Sequence, residues 1–182
     1  MRRAQINETN AIIAFYHNLI KENSASPYHP DWRIDIYPTD DQITDYIANG
    51  EMYVLDAENS DADRYIAAFA LSSEPVEGYD TVPWSVDVPW EDVIVVHLLC
   101  VGCAYQHRGI GQKIVGELLD ICRAMNKQAV RLDVMTKNLP AQKLYTAAGF
   151  VPIGKFRITY EDTGPMEFFM YEYDLNERRL LR

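Results

Sequence analysis

Val93-Ile94-Val95-Val96-His97-Leu98-Leu99-Cys100-Val101, followed four residues later by Gln106-His107-Arg108-Gly109-Ile110-Gly111, is the stretch on which the fold turns. The first nine residues are apolar apart from His97, the pattern of a strand buried on both faces. A helix follows from near Gly109, because Ile110, Ile114, Val115, Leu118, Leu119, Cys122 and Met125 recur on one stripe. Between strand and helix the two glycines permit a tight turn and a close approach of backbone to a ligand. A helix start offers unbonded amides with partial positive charge, so strand, turn and helix together form a cradle for an anion. Two common nucleotide loops do not fit it. Gly-x4-Gly-Lys-Ser/Thr is absent, and Ile114 stands where a dinucleotide fingerprint needs its third glycine.

Downstream, Ala129 to Met135 reads as a second strand and Asn138 to Ala148 as a helix, with Pro140 in its first turn and Gly149 to end it. That completes a βαβ core. Two further strands are expected at Val151 to Tyr160 and Met166 to Leu175, around the turn from Glu161 to Pro165. Upstream, a short strand from Arg2 to Ile6 precedes a helix from Glu8 to Glu22 carrying Ile12, Ile13, Tyr16, Leu19 and Ile20. A second helix is expected from Asp40 to Asn49, capped by Thr39 or Asp40 and stopped by Gly50. Glu51 to Asp56 and Arg64 to Ser72 read as a hairpin across the polar turn from Ala57 to Asp63. Glu74 to Pro89 is a long loop with Tyr79, Trp84 and, just beyond it, Trp90; loops of that length are usually functional.

The 182 residues are 48% hydrophobic and 24% charged, ordinary globular values for which one domain over 1–182 is expected. A net charge of −10 repels nucleic acid and anionic membrane on average. Three cysteines, an odd number without a framework, point to a reducing compartment, and a cytoplasmic location is expected. Met1 to Asn10 lacks the apolar centre of a leader, and no run approaches the roughly 20 apolar residues of a membrane span.

Read as Gln/Arg-x-x-Gly-x-Gly/Ala, the turn resembles that of the GNAT superfamily of acyl-CoA N-acyltransferases. The resemblance extends through Arg131-Leu132-Asp133-Val134, Asn138, Ala141, Leu144-Tyr145 and Gly149-Phe150, in the family's order and spacing. It implies an α/β (α+β) fold: a mixed, mostly antiparallel sheet around a βαβ coenzyme A-binding core, with helices on both faces. It further implies acetyl-CoA or coenzyme A as cofactor, with the amides of Gln106, His107, Arg108, Gly109, Ile110 and Gly111 on the pyrophosphate. The strand end Leu99, Cys100 and Val101 would pair with the pantetheine arm, Asn138 would hydrogen-bond that arm, and Tyr145 would protonate the leaving thiolate. From Gln106 to Lys143 seven basic residues stand against three acidic ones, a local excess that suits phosphates.

Acyl transfer to an amine needs a proton acceptor. A histidine in a buried strand is by default a packed core residue. The resemblance supplies the other reading of His97, since some amine-acetylating members carry a histidine at this place. Others use a glutamate on this strand, and Val95 shows no acid here; Glu91, just before the strand, is a further candidate acting through water. Cys100-x-x-Cys103 looks like half a metal or redox site. Only Cys122 remains as a third thiol, and strand alternation would point His97 and Cys100 to opposite faces, so no metal is expected. Tyr28, Trp32, Tyr37 and Trp84 sit in irregular segments where the family builds its acceptor site; each either lines that site or closes the core. An acidic remainder would welcome a cationic amine.

The function these residues imply is N-acetyl transfer from acetyl-CoA to a primary amine, of a small molecule or a protein, by direct attack in a ternary complex. The alternative is a catalytically silent module that binds coenzyme A or acyl-CoA. A monomer or homodimer without nucleic acid or membrane partners is expected.

Overall fold

A computed structural model describes residues 1–58, 64–74, 76–160 and 164–176, with the backbone alone at 159 and 160. Most of the turn expected at 57–63, Pro75 of the long loop and the turn residues 161–163 lie outside the described residues. The strands are β1 (Arg2–Arg3), β2 (Met52–Asp56), β3 (Tyr65–Ser72), β4 (Val93–Val101), β5 (Ala129–Met135), β6 (Val151–Tyr160) and β7 (Gly164–Asp174). The helices are α1 (Thr9–Asn23), α2 (Asp40–Ala48), α3 (Ile110–Ala124) and α4 (Leu139–Ala147). Hydrogen bonding runs in the order β1-β2-β3-β4-β5-β7-β6, a seven-stranded, mostly antiparallel sheet. The chain divides into two compact units, Met1–Ser72 with His97–Gly111, and Ser73–Val96 with Gln112–Arg182. Both β4 and α3 pass from one unit into the other.

In the first unit β1, β2 and β3 are antiparallel, with Arg2 opposite Val54 and Met52 opposite Ala70. One face of α1, led by Ile12, Tyr16 and Leu19, packs with Ile43 and Ile47 of α2, Met52, Val54, Ala68 and Ala70 of the strands, and Leu98 and Cys100 of β4. Helix α2 starts where its sequence says it should. Thr39 accepts from the Gln42 amide and Gln42 reaches back to the Thr39 amide, while Gly50 leaves with φ 69°. The N-terminal strand is shorter than expected. It stops at Arg3 because Ile6–Glu8 form a 3-10 turn, and the buried Glu8 carboxylate collects donors from the Gln5 amide, both Arg2 nitrogens, Arg64 and the Tyr65 hydroxyl. Led by the Arg2 hydrogen bonds, those donors hold its carboxyl down to about 2.

In the second unit β4 and β5 are parallel from Val93 opposite Ala129 to Val95 opposite Arg131, while β4 itself continues to Val101 and β5 to Met135. Strand β7 then inserts between β5 and β6, antiparallel to both. The α3 stripe buries Ile114, Val115, Leu118, Leu119 and Cys122 as its spacing requires. The long loop after β3 is not loose. Its Tyr79 and Val82 are buried with Val95, Ile158, Phe168 and Met170. Glu172 of β7 accepts from the Ser85 and Val86 amides and from Arg131 of β5, whose guanidinium also donates to the Val86 carbonyl. Arg131 lies 4.6 Å from the Trp84 ring and 5.7 Å from that of Trp90. An ion pair this deeply buried matters most when it is broken, since the partner left behind keeps its charge without compensation.

Glu172→Gln should therefore lower unfolding free energy by roughly 3–5 kcal/mol in urea titrations, and replacing Arg131 and Glu172 together by methionine and leucine should recover most of that loss. A single variant as stable as the parent would show that the pair does not pin the loop.

Candidate active site

The turn into α3 has the backbone a cradle needs. Cys103–Tyr105 form a 3-10 turn, and the Gln106 side chain donates to the Val101 carbonyl at 2.9 Å, tying the turn back to the end of β4. His107 and Gly109 both take left-handed conformations, φ 60° and 75°. Alternation of this kind turns successive amides toward one side, the concavity that receives anions. A side chain at Gly109 would meet nothing within 4 Å, so the space over the turn is open. The first turn of α3, from Ile110 and Gly111 onward, carries no acidic side chain, and Arg108 lies 5.9 Å from the Tyr105 ring. These residues fit a phosphate-bearing ligand.

His97 lies in the same unit. Its ring stacks on Tyr46 of α2, centroids 5.4 Å apart at 27°. Its half-buried imidazole makes no hydrogen bond or ion pair among the described residues. Burial alone pushes it down to about 4, so the ring is neutral at physiological pH. The residue after it explains its orientation. Leu98 has φ 56°, a left-handed step that a leucine seldom takes. The step breaks strand alternation: Leu98 and Cys100 pack in the first-unit core, and His97 stacks on Tyr46, which packs against that same core. The opposite faces expected for His97 and Cys100 from a regular strand are thereby lost. Tyr16 of α1, fully buried, donates its hydroxyl to the Leu98 carbonyl at 3.0 Å. From sequence Tyr16 is read only as part of the apolar stripe and Tyr46 not at all; the signal in Tyr16 is its polar tip amid that stripe.

Leu99 and Val101 of β4 are half-buried and Cys100 is buried. Burial pushes the Cys100 thiol up to about 12 and that of Cys103 up to about 11, so neither is a thiolate at neutral pH. Among the described residues no group of three or more His, Cys, Asp or Glu side chains is arranged around a metal position. Three of the four expected acceptor-site aromatics are in this unit. The rings of Trp32 and Tyr37 continue from Tyr16, at 6.1 Å and 6.4 Å, while Tyr28 is exposed. Trp32 also walls a cleft of about 440 Å³ with Leu19, Ile20, Ile34, Lys21 and Arg33. Its charged lining is basic, from Lys21 and Arg33.

Asn138, Tyr145, Trp84 and Glu91 belong to the second unit. Asn138 caps α4, its Oδ1 accepting from the Ala141 amide at 3.2 Å, which leaves its Nδ2 hydrogens to donate elsewhere. Tyr145 is buried, its ring at 5.4 Å from Phe150 and 6.4 Å from Tyr171. Trp84 donates its Nε1 hydrogen to the Tyr79 carbonyl and covers Arg131. Glu91 is exposed in a 3-10 turn before β4. One acid here went unremarked as a candidate. Asp133 of β5 accepts from the Tyr79 hydroxyl at 2.7 Å, and burial raises its carboxyl above the usual range. The basic zone counted from sequence is also smaller than it looked: Arg131 is paired with Glu172, Arg123 with Asp120, and Lys127 donates to Ser73 and the Glu91 carbonyl.

Against known proteins, the model of the Acetyltransferase (GNAT) family matches residues 14–150. The chain belongs to the GNAT acetyltransferase family. The N-alpha-acetyltransferase RimI of Mycobacterium tuberculosis (strain ATCC 25618 / H37Rv) is 40% identical over 75 residues, 41% of this chain and 46% of the relative. The alignment thus spans less than half of that relative's length. A GNAT-family acetyltransferase from Streptococcus agalactiae 2603 superposes with TM-score 0.74 at 20% identity, over 95% of this chain and 93% of that one. The acetyltransferase yncA of Salmonella typhimurium, solved with acetyl-CoA, superposes with TM-score 0.65 at 18% identity, over 96% and 92%. Identities this low speak for the GNAT fold alone. Acetyl-CoA is the acyl donor of the family.

For this GNAT protein the His97 imidazole should titrate near pH 4 rather than 6.5 when followed by NMR at its ring carbon protons. The unfolded chain takes up this proton near pH 6.5 and the folded chain only near 4, so stability contributed by the neutral ring is lost as pH falls through that window. A midpoint near 6.5 would mean that the ring is hydrated.

Proposed function

We propose that the protein is an acetyl-CoA-dependent N-acetyltransferase whose acceptor is a primary amine, of a small molecule or a protein, acetylated by direct attack in a ternary complex. The observation that carries this reading is the turn into α3, where two left-handed residues and the helix start leave the amides of His107–Gly111 over open space, while the Gln106 amide closes the preceding turn on the Cys103 carbonyl. Acetyl-CoA supplies the acetyl group as a thioester. The amides of His107–Gly111 hold its phosphates, the backbone of Leu99, Cys100 and Val101 aligns its arm, and Asn138 donates to that arm. The acceptor nitrogen bonds to the carbonyl carbon and loses one proton; the sulfur leaves and gains one. His97 accepts the first, directly or through water, and Tyr145 donates the second.

The depressed pKa of His97 sets when it can act. A free ammonium near pKa 10 lies about 6 units above it, an uphill transfer of about 8 kcal/mol. The acceptor therefore attacks as its neutral amine, its ammonium proton lost to solvent, and the ring takes the further proton after the carbon–nitrogen bond has begun to form, when that nitrogen is far more acidic. Asp133 supports a second reading, because burial has raised its carboxyl and the Tyr79 hydroxyl holds it in place. Trp32 and Tyr37, with exposed Tyr28, are the aromatic surface offered to the acceptor, and Trp84 acts by holding Arg131.

Thermal unfolding with acetyl-CoA, read beside thiol release against a panel of primary amines, tests the reading. At about 100 times its dissociation constant the ligand should stabilise the fold by about 2.7 kcal/mol. His97→Ala should cut kcat about 100-fold with that stabilisation intact, and Tyr145→Phe should slow turnover likewise. Full turnover in His97→Ala with loss in Asp133→Asn would move the base to Asp133. No stabilisation by acetyl-CoA would overturn the proposal altogether.

A further inference from the structure

Resting on the acetyltransferase reading above, we infer that Tyr16 is a positioning residue: its buried hydroxyl holds the Leu98 carbonyl, fixes the left-handed step of β4, and so sets the place of His97.

A leucine at φ 56° is strained and persists only where its surroundings over-determine it. Three contacts do so. The Leu98 side chain is buried at 4% exposure in the first-unit core, the neighbouring His97 ring is stacked on Tyr46, and the Leu98 carbonyl accepts from Tyr16 at 3.0 Å. Only the last acts on the stepped backbone itself. A strand carbonyl taken by a side chain from a helix marks where regular pairing gives way. Tyr16 is well placed for this, being wholly buried on the α1 stripe, with Met52 Sδ at 3.8 Å and the Cys100 thiol also within reach of its hydroxyl. An apolar residue there would fill the same volume without reaching the carbonyl. The hydroxyl is thus the part that the packing of α1 does not need.

The consequence falls on the imidazole. Without the step, alternation would place Leu98 and His97 on opposite faces, and His97 would leave its stack with Tyr46. The titratable side chains of this core are Tyr16, Tyr46, Tyr65 and Cys100, with Tyr37 near Tyr16, and the one charge beside them is Glu8, held by Tyr65 and its arginines; Tyr16→Phe adds no charge, so a change in His97 titration would report its burial.

The test is Tyr16→Phe in the full chain, which keeps the ring and removes only the hydroxyl. Expected are a folded protein whose melting point drops by a few degrees, a His97 NMR midpoint moved from about 4 toward 6.5, and a kcat lowered at least 10-fold with KM for acetyl-CoA within about 2-fold. Tyr16→Leu should behave alike in titration and kcat. A residue that merely packs would lower the melting point and leave the midpoint where it was; that result, in either variant, overturns the inference. The midpoint is read on resting protein. If wild-type protein transferred acetyl to no amine, the reaction would be wrong while the titration still decided whether Tyr16 holds the step.

Discussion

A strand that must fill a hydrophobic core and also present a chemical group cannot keep strict alternation, and β4 meets that conflict at Leu98. Four apolar residues, Val93 to Val96, are buried; then comes a half-buried imidazole, then a leucine packed in the first-unit core. The left-handed step at Leu98 is what lets both demands be met within nine residues. What lies beyond it follows: the strand runs on to Val101, whose carbonyl takes the Gln106 side chain, and so the turn that opens α3 is anchored to the strand that precedes it.

The buried ionisable groups fall into two kinds. Glu8, Arg131 and Glu172 are surrounded by partners, each donor or acceptor met by another from a distant part of the chain. They hold structure together, and their charge is satisfied. His97 is different. Nothing in its surroundings donates to it or accepts from it among the described residues, and its proton affinity is lowered by burial alone. An imidazole kept neutral and unengaged is ready for an incoming proton, which is what a fold supplying a base would have to arrange.

Local signals made much of this legible in the sequence. The stripe of α3, the Thr39 cap of α2, the Asn138 start of α4 and the glycine turn at 109–111 all rest on residues a few positions apart, and each appears where its spacing said. The misreadings share a cause, which is distance along the chain. Arg131 counted as a free cation because its partner Glu172 is 41 positions away. The N-terminal strand was drawn too long because Glu8 is claimed by Arg64 and Tyr65, more than 50 positions on. The packing of the long loop, with Trp84 and Tyr79 fixed against β5 and β7, was hidden for the same reason. Leu98 carried no signal at all, since nothing about a leucine announces a left-handed backbone.

The insertion of β7 between β5 and β6 bears on how the chain comes together during synthesis. Neighbouring β6 and β7 form a local hairpin that can close as soon as both have been made. The ladder from Ala129–Asp174 to Met135–Phe168, by contrast, places an interior strand last in the order of the sheet's making. Until residue 174 has left the ribosome, β5 therefore has an unsatisfied hydrogen-bonding edge, and the buried charge of Arg131 has no Glu172 to meet it. Such an exposed edge invites pairing with other chains. The nascent protein thus passes through a window of vulnerability that ends when the β6–β7 hairpin docks the free edge of β7 on β5.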